Sequence, residues 1–266
     1  DFGGSGRDAG RELFKSKGFD SAIAVPFCPE SPLSGVGYVD FIRDMWYHRK
    51  LEIPAAWAGK RVILHFGAVD FESEIYIDGV SLGRHYGGTS SFRFDLTAYV
   101  TAGASHDLVV RVHDETRGPS GQPRGKQCPD YKSRACHYTR TTGIWQTVWL
   151  EAVDLCGLKD CYIVPDLDGA RFVLTPSFYA AAAGNRFRAT ALDGGRAVAT
   201  AEGAAADGLS IALALDAPKT WSPGSPFLYG LVLEVLDAAG KVRDTVRSYA
   251  GLRKIHIEGN RVMLNN

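Results

Sequence analysis

Apolar and polar residues alternate with a period of two along most of the chain, and this alternation predicts β-strands. In His106–Asp114, three aliphatic residues fall on one face, because successive side chains of a strand point to opposite sides. Asp78 and Gly79 favour the positive φ angles of a tight turn, so Glu74–Gly83 is predicted to be a hairpin. Four further strands are predicted before residue 155: Trp46–Ile53, Arg61–Phe66, Phe92–Leu96 and Thr147–Val153.

Many short strands and no long helical stripe indicate an all-β chain, and the first 154 residues fit a sandwich or a barrel. After Asp154 the alternation returns in about seven short strands over roughly 100 residues, with turn signals every 8–12 residues or so. That spacing is typical of an immunoglobulin-like sandwich. The sequence therefore predicts two β-domains in succession.

One segment, Arg117–His137, breaks the alternation. It contains three prolines and many charged residues. A loop of this length inside a compact domain is usually either functional or disordered. We therefore look for functional side chains here, and a flexible loop remains the alternative.

Composition excludes several classes of protein. Lys and Arg number 30 and Asp and Glu number 30, so there is no basic surplus for binding nucleic acid. No apolar stretch is long enough to span a bilayer, and the start of the chain shows no apolar leader segment. The five cysteines fit neither CxxC nor zinc-finger spacing, which favours free thiols and a cytoplasmic location; a disulfide or a metal site is the alternative.

No motif for catalysis stands out in these 266 residues. The chain has no GxxxxGK[ST] and no HEXXH, and its seven histidines are scattered. GVSLG at Gly79–Gly83 fits the letters of GxSxG, but it lies in the predicted hairpin and not at the strand-to-helix turn that this motif requires. The 30 carboxylates allow many pairs, and nothing in the sequence singles one out as the pair of a glycosidase. We therefore expect no catalytic residue, no metal and no cofactor in this chain.

Several motifs in a fixed order resemble the sugar-binding domain of glycoside hydrolase family 2, the family of bacterial β-galactosidases, β-mannosidases and β-glucuronidases. Met45–Gly88 carries the W/Y-Y-R strand, the P-x-x-W-x-G-K-R turn, a V-D strand end and the hairpin followed by G-x-H-x-G-G. Phe92–Thr97 matches F-x-x-D-[IL]-T, and TTGIWQTVWLE resembles the closing strand of that domain. Val25–Tyr38 resembles an early VP-x-x-x-x-S segment.

The second domain also carries motifs that resemble this family. Trp221–Asp237 resembles its W-x-P-x-x-P-x-L-Y strand, and the last residues resemble the linker to its catalytic barrel. The resemblance implies a jelly-roll domain of galactose-binding type at 1–154, an immunoglobulin-like sandwich at 155–251 and a linker at 252–266. The (β/α)8 barrel and both catalytic carboxylates would then lie outside these residues, and the chain indeed has no Asn-Glu dipeptide of the kind that carries the acid/base.

The resemblance implies that six residues lie at the substrate cleft or at the barrel interface: Asp130, His137, Tyr138, Arg140, Glu30 and Trp149. Some β-galactosidases of the family have an aspartate near a bound cation six residues before the closing-strand glycine; His137 stands there in this chain, so no cation site is implied. Two roles are open for Arg140: it could pair with a carboxylate at the domain interface, or it could reach the active site. Asp70 and Glu72 fit either sugar ligands or edge groups of the sheet.

Alternation within TVWLEAV places Val148 and Leu150 on one face and Trp149 on the other. If the first face is core, Trp149 points outward, which suits a domain interface better than open solvent. Trp145 would then close the end of the sandwich.

The leading hypothesis is the non-catalytic N-terminal part of a retaining β-glycosidase in carbohydrate metabolism. It would support the barrel and shape the cleft for a terminal β-linked sugar. A homo-oligomer is part of this reading, and an inactive isolated chain is expected. The alternatives are a stand-alone carbohydrate-binding module and a structural interaction domain that binds no sugar.

Overall fold

A computed structural model describes residues 18–19, 21–118 and 121–266, and it divides the chain into two compact units, Asp1–Ala152 and Val153–Asn266. The first 17 residues, where the sequence shows no leader, lie outside the described part. No helix among the described residues is both long and apolar enough to cross a membrane. The strands of unit 1 are β1 (Asp44–Glu52), β2 (Arg61–Phe66), β3 (Val69–Asp70), β4 (Glu72–Ile77), β5 (Val80–Tyr86), β6 (Phe92–Asp95), β7 (Ser105–His113), β8 (Gly143–Ile144) and β9 (Val148–Val153).

Unit 1 is a sandwich of two antiparallel sheets, with strand orders β1-β7-β4-β5 and β6-β2-β9. Strands β1 and β7 pair over their full length, from Asp44 opposite His113 to Glu52 opposite Ser105. One face of each sheet contributes to a common apolar core, because alternate residues of β1, β2, β4 and β7 are buried together. The predicted jelly-roll type of sandwich agrees with this all-β architecture.

The predicted hairpin is confirmed, and its turn is fixed by side chains as well as by glycine. Asp78 and Gly79 both have positive φ, of 49° and 80°. The Asp78 carboxylate contacts His106 Nδ1 at 2.6 Å and accepts a hydrogen bond from the Asp107 N–H at 2.8 Å. This local network ties the tip of the β4–β5 hairpin to strand β7.

Unit 2 has its own apolar core between a three-stranded and a four-stranded antiparallel sheet, as the alternation predicts for an immunoglobulin-like sandwich. The sheet orders are β10-β11-β14 and β13-β12-β17-β18, and β15-β16 and β19-β20 are short hairpins. These strands are β10 (Leu158–Asp166), β11 (Arg171–Phe178), β12 (Arg186–Asp193), β13 (Arg196–Ala204), β14 (Ile211–Ala214), β15 (Trp221–Ser222), β16 (Ser225–Pro226), β17 (Tyr229–Leu236), β18 (Val242–Ala250), β19 (Ile255–Glu258) and β20 (Arg261–Leu264).

Candidate functional site

The segment between β7 and β8, residues 114–142, is called the β7–β8 loop below, and its described residues, 114–118 and 121–142, contain no strand. Only two isolated β-bridges occur in its described residues, Gln127 with Tyr138 and Arg134 with His137. The predicted irregular segment is therefore real. Its shape depends on hydrogen bonds to side chains, because no sheet ladder satisfies its backbone.

Three buried carboxylates fix this loop: Glu30 and Asp70 bind it from the rest of unit 1, and Asp114, at its start, binds two other loop residues. Glu30, Asp70 and Asp114 are 6%, 7% and 2% exposed, respectively. Asp114 Oδ1 accepts a hydrogen bond from Gln122 Nε2 at 2.6 Å, and Asp114 Oδ2 accepts one from the Thr142 hydroxyl at 3.2 Å. Both oxygens of Glu30 accept from the Thr142 N–H at 3.2 Å. Thr142 thus links two of the three carboxylates at the end of the loop.

Asp70 fastens the middle of the loop through one glutamine. Gln127 Nε2 donates to Asp70 Oδ2 at 2.7 Å, and Gln127 Oε1 accepts from the Thr141 N–H at 2.8 Å. Glu72, the neighbouring acidic residue, instead meets Arg84 Nη1 at 3.3 Å on the sheet surface. The sequence analysis gave Asp70 and Glu72 the same two roles, but Asp70 is buried and binds Gln127, whereas Glu72 binds Arg84 at the sheet surface.

Burial makes these carboxyl groups unusually basic. The pKa of Asp70 is raised to about 7, first by burial and then by the negative charge of Asp114. The pKa of Asp114 is raised to about 6 by burial and by the charge of Glu30, against the hydrogen bonds that it accepts. Burial also raises the pKa of Glu30. Burial and the repulsion between neighbouring carboxylates thus both favour the protonated forms of Asp70 and Asp114.

Arg140 fastens the loop from the other side, through backbone carbonyls and not through a carboxylate. This residue is 2% exposed, and no described carboxylate forms an ion pair with it. Its Nη1 donates to the carbonyl oxygens of Cys128 and Asp130, at 3.2 and 2.7 Å, and its Nη2 donates to that of Val39. Backbone carbonyls take the place of the carboxylate, because the loop folds around the guanidinium and must satisfy its own buried backbone.

An arginine–aromatic stack extends from Arg140 to the surface. The guanidinium carbons of Arg140 and Arg117 lie 4.1 and 3.6 Å from the centre of the Phe41 ring. Arg117 also lies 4.6 Å from the ring centre of Tyr131, which is itself exposed. Contacts of this kind fix the planes of the rings and the guanidinium groups together. The exposed end of the stack, Tyr131, is therefore held in place.

Gly143 is required where the loop enters the closing strand. Its φ of 76° is unfavourable for other residues, and a methyl group there would lie 2.9 Å from the Met45 sulfur. The next N–H, that of Ile144, donates to the Tyr47 hydroxyl at 3.0 Å. The glycine of the GIW motif thus lets the chain pass directly over Tyr47.

The outer surface of the loop carries three of the predicted residues. Asp130 is exposed and pairs with Arg134, with Nε and Oδ2 2.8 Å apart. Tyr138 is half exposed. His137 is partly buried, and its Nδ1 is buried without a hydrogen-bond partner. Asp130 and Tyr138 thus present their side chains to solvent, and His137 does so only in part.

Trp149 belongs to a different surface. It is 45% exposed on β9, while Val148 and Leu150 pack on the core, so the predicted orientation of this strand is confirmed. Its ring stacks on His65, with centroids 4.7 Å apart and planes 2° apart, and His65 Nε2 lies 2.7 Å from Glu151 Oε2. Trp145 is partly buried, and its Nε1 donates to the Gly88 carbonyl at 2.7 Å.

The hydrogen bonds of this arrangement hold the β7–β8 loop in place. The described residues contain no group of three or more His, Cys, Asp or Glu side chains that would hold a metal ion. Sequence reasoning identified Glu30 and Arg140 but missed Asp114, Gln127 and Thr142. The alternation in β7 could have identified Asp114 as a buried residue, because it follows Leu108, Val110 and Val112 on the core-facing side. No sequence pattern identifies Gln127 or Thr142, since their contacts depend on how the loop folds.

Two family models match the chain. Residues 32–122 match the model described as "Glycosyl hydrolases family 2, sugar binding domain", and residues 160–253 match the model "Glycosyl hydrolases family 2". A β-glucuronidase of Paenibacillus borealis is 25% identical over 239 residues, which is 85% of this chain and 39% of that protein. A β-galactosidase of Thermoanaerobacter pseudethanolicus is 24% identical over 224 residues, covering 79% of this chain and 28% of that protein.

Solved structures show the same fold. A β-glucuronidase from Ruminococcus gnavus superposes with a TM-score of 0.77 at 21% identity, over 100% of this chain and 46% of that one. A family 2 glycosyl hydrolase from Bacteroides cellulosilyticus superposes with a TM-score of 0.68 at 22% identity, over 84% and 30%. The chain thus spans less than half the length of these similar proteins.

Proposed function

Because the chain belongs to glycoside hydrolase family 2, we propose that it forms the non-catalytic front of a retaining β-glycosidase. In this role it supports the catalytic barrel and shapes the cleft for a terminal β-linked sugar. The barrel supplies the two carboxylates that form and hydrolyse the covalent glycosyl-enzyme. The chain itself takes no part in bond cleavage.

The observation that carries this proposal is the anchoring of the β7–β8 loop. Burying three carboxylates and an arginine costs stability unless they are hydrogen-bonded, and here the three carboxylates accept hydrogen bonds from the loop, while both Nη atoms of Arg140 donate to backbone carbonyls. A surface loop that serves only as a connection needs no such anchoring. The rigid presentation of exposed Tyr131, Tyr138 and Asp130 is what the buried network provides.

Each predicted residue has a place in this proposal. Asp130, His137 and Tyr138 border the sugar cleft, and Glu30 and Arg140 hold the loop that carries them. Trp149 contacts the barrel from the outer face of β9. The similar proteins include both β-glucuronidases and a β-galactosidase, so glucuronides and galactosides are the first substrates to test.

The proposal is tested by the gene and by two preparations. The purified 266-residue chain is incubated with nitrophenyl β-glucuronide and β-galactoside, and we expect no turnover above buffer. The whole reading frame that contains the chain is then expressed, and hydrolysis is followed by NMR, with retention of the anomeric configuration expected. Turnover by the 266-residue chain alone, or a complete frame without a barrel and without activity, would contradict the proposal.

A carbohydrate-binding module is the second candidate, and the Trp149–His65 stack favours it. An exposed indole with a hydrogen-bonded Glu151 beside it fits the face and hydroxyls of a pyranose. This candidate predicts saturable binding of an oligosaccharide by the 266-residue chain in calorimetry, abolished by Trp149→Ala. The matched control is Trp221→Ala, which alters the tryptophan of unit 2.

A cytoplasmic location and a homo-oligomer complete the proposal. All five cysteines are free thiols, as suits a reducing compartment. Fractionation of expressing cells tests the location, and light scattering of the purified protein tests the oligomer. Recovery of the protein outside the cytoplasm would contradict the proposed location. A monomer at all concentrations would contradict the proposed homo-oligomer.

A further inference from the structure

The outer surface of the β7–β8 loop carries a local excess of positive charge. Among the described residues of this loop, four Lys and Arg side chains are exposed, whereas Asp130 is the one exposed carboxylate. The whole chain has 30 basic and 30 acidic residues, so the excess belongs to the loop and does not reflect a basic protein. The four exposed cations are Arg117, Lys126, Lys132 and Arg134.

Asp130 does not balance these cations. It forms an ion pair with Arg134, and the pKa of its carboxyl group is lowered by this hydrogen bond and further by the charges of Arg134, Arg117 and His137. One carboxylate therefore lies in the field of three basic side chains. Neither lysine of the loop, at 126 or at 132, forms an ion pair with a carboxylate in the described part of the chain. A further negative charge at this surface would therefore be attracted.

Tyr131 adds an aromatic ring to this charged surface. The residue is 61% exposed, and the guanidinium carbon of Arg117 lies over its ring, 4.6 Å from the centre. Arg117 Nε donates to the Pro129 carbonyl at 3.1 Å, which fixes the guanidinium group against the ring. The Phe41 ring contacts Tyr131 edge to face, with centroids 5.3 Å apart. A ring that is supported on one face and exposed to solvent can take the apolar C–H face of a pyranose without first being ordered.

Hydrogen bonds within the loop hold the backbone of the two lysines in place. The Lys126 carbonyl accepts a hydrogen bond from the Tyr138 N–H at 3.0 Å. The Lys132 carbonyl accepts one from Cys128 Sγ at 3.4 Å. The exposed side chains of both lysines therefore extend from a fixed backbone, and their four-carbon stems give the ammonium groups some reach.

We propose that the outer surface of the β7–β8 loop binds an oligosaccharide that carries carboxylates, with the Tyr131 ring against one pyranose and the Lys132 ammonium group at a carboxylate beside it. The inference rests on the proposed function, which places this loop at the border of the sugar cleft, and it names acidic oligosaccharides as the class that the loop selects. A neutral sugar would leave the cations without a counter-charge. A nucleic acid would need a longer basic stripe than four side chains supply.

The test measures binding by the purified 266-residue chain, so its outcome does not depend on catalysis. The probe is a tetrasaccharide with two glucuronate residues, and its control is the same tetrasaccharide with both carboxylates reduced to alcohols. Calorimetry at low ionic strength is expected to show saturable binding of the acidic form, and the reduced form is expected to bind at least about tenfold more weakly. Added salt should weaken binding of the acidic form, because exposed charges are screened.

Substitutions separate the role of the charge from that of the ring. Lys132→Glu should weaken binding of the acidic tetrasaccharide by at least about fivefold and leave the reduced form unaffected. Lys60→Glu makes the same change in net charge at an exposed lysine just before β2, and it should change neither affinity. Tyr131→Ala should weaken binding of both forms, whereas Tyr131→Phe, which keeps the ring, should bind them as the original chain does.

Three results would overturn the proposal. One is equal binding of the acidic and reduced tetrasaccharides, and another is no binding by a chain whose circular dichroism and cooperative unfolding show that it is folded. The third is equal binding of a single-stranded DNA of the same charge, which would show a general affinity for polyanions. Binding that Trp149→Ala abolishes and Lys132→Glu does not would assign the sugar to β9 and contradict the role of the loop. An inactive whole reading frame that still binds the acidic tetrasaccharide through Lys132 would contradict the proposed function and not the binding site.

Discussion

The two units of this chain are both antiparallel sandwiches with an apolar core, but they differ in the polar side chains that they bury. Among the described residues, every buried polar or charged side chain lies in unit 1, and unit 2 buries only apolar ones. Both units are antiparallel sandwiches of short strands, so the difference does not come from the architecture. Part of the difference comes from the β7–β8 loop, where Glu30, Asp70, Asp114, Gln127, Arg140 and Thr142 form hydrogen bonds. The buried polar residues are Glu30, Ser34, Asp44, Asp70, Ser73, His106, Asp114, Thr116, Gln127, Arg140 and Thr142.

This contrast predicts that the two units respond differently to substitutions and to pH. An apolar core depends on area and volume and tolerates pH changes, whereas a buried polar network depends on each partner being present and on its protonation state. Unit 2 has the simpler chemistry expected of a scaffold. Unit 1 carries the groups that position a surface, and it should respond to single substitutions and to pH in ways that unit 2 does not.

The largest expected effect is in the apolar core of unit 2. Phe187 is fully buried and contacts the Phe178 ring edge to face, with centroids 6.0 Å apart. Phe187→Ala should lower the free energy of unfolding of unit 2 by about 4 kcal/mol, because it leaves a cavity in a packed core. Hydrogen exchange resolved by unit measures this. Tyr249→Ala, at an exposed position of the same unit, is the control and should have almost no effect.

An equal loss in both units on Phe187→Ala would show that they unfold as one body. The two cores would then not be separate sources of stability, and the contrast between them would lose its energetic meaning.

Removing the arginine at the centre of the loop should be the next largest effect, and it should fall on unit 1. Arg140→Ala leaves the Val39, Cys128 and Asp130 carbonyls without their donor and should cost about 3 kcal/mol. Urea unfolding followed by hydrogen exchange checks the size and the location. Arg140→Lys, which keeps the charge but not the planar fork, should recover only part of the loss.

The control for this substitution is Arg134→Ala, which removes an exposed pair with Asp130 and should cost well under about 1 kcal/mol. If Arg140→Ala and Arg134→Ala had equal effects, the buried anchoring of the loop would be refuted.

The third prediction uses pH. Asp70 has a pKa raised by burial and by Asp114, to about 7, so the folded state binds its proton more tightly than the unfolded chain does. The contribution of Asp70 to stability is therefore complete below its unfolded pKa of about 3.9 and is lost as the pH rises through about 7. Asp70→Asn should stabilise unit 1 by about 2 kcal/mol at pH 8 and change it little at pH 4, as measured by unfolding across that range.

Asp44 is the matched control, because its pKa is shifted in the opposite direction from that of Asp70. Burial acts to raise its pKa, but hydrogen bonds from His113 and Arg43 outweigh burial and place the pKa below its usual range. Its contribution to stability is present above the unfolded pKa and lost in acid, so Asp44→Asn should destabilise unit 1 at pH 7. A gain in stability from both substitutions at pH 8 would show that charge removal alone, whatever the partner, explains the result.

The smallest expected effect is at Trp149. Because this side chain is half exposed and touches His65 on one face, Trp149→Ala should cost less than about 1 kcal/mol in unit 1. Thermal unfolding measures it, with Trp149→Phe expected to retain most of the contact. A loss above about 2 kcal/mol would assign Trp149 to the core and remove it from any interface.

Much of the fold followed from the sequence, because the alternation of a strand is a local property. The β4–β5 hairpin follows from Asp78 and Gly79, and the outward position of Trp149 follows from Val148 and Leu150 facing the core. The candidate site was only partly predictable. Arg140 was recognised as a residue that fixes a loop, but its carbonyl partners come from segments as far away as Val39, which no local pattern connects to it.

The sequence by itself determined the class of each domain, the strand positions and the place of the irregular loop. These depend on the period of apolar residues and on turn residues, which act over a few positions. Only the tertiary structure decided that Glu30, Asp70 and Asp114 are buried together with residues of that loop. Desolvation and hydrogen bonding between residues distant in the chain arise from tertiary packing, and no short stretch of sequence contains both partners of such a contact.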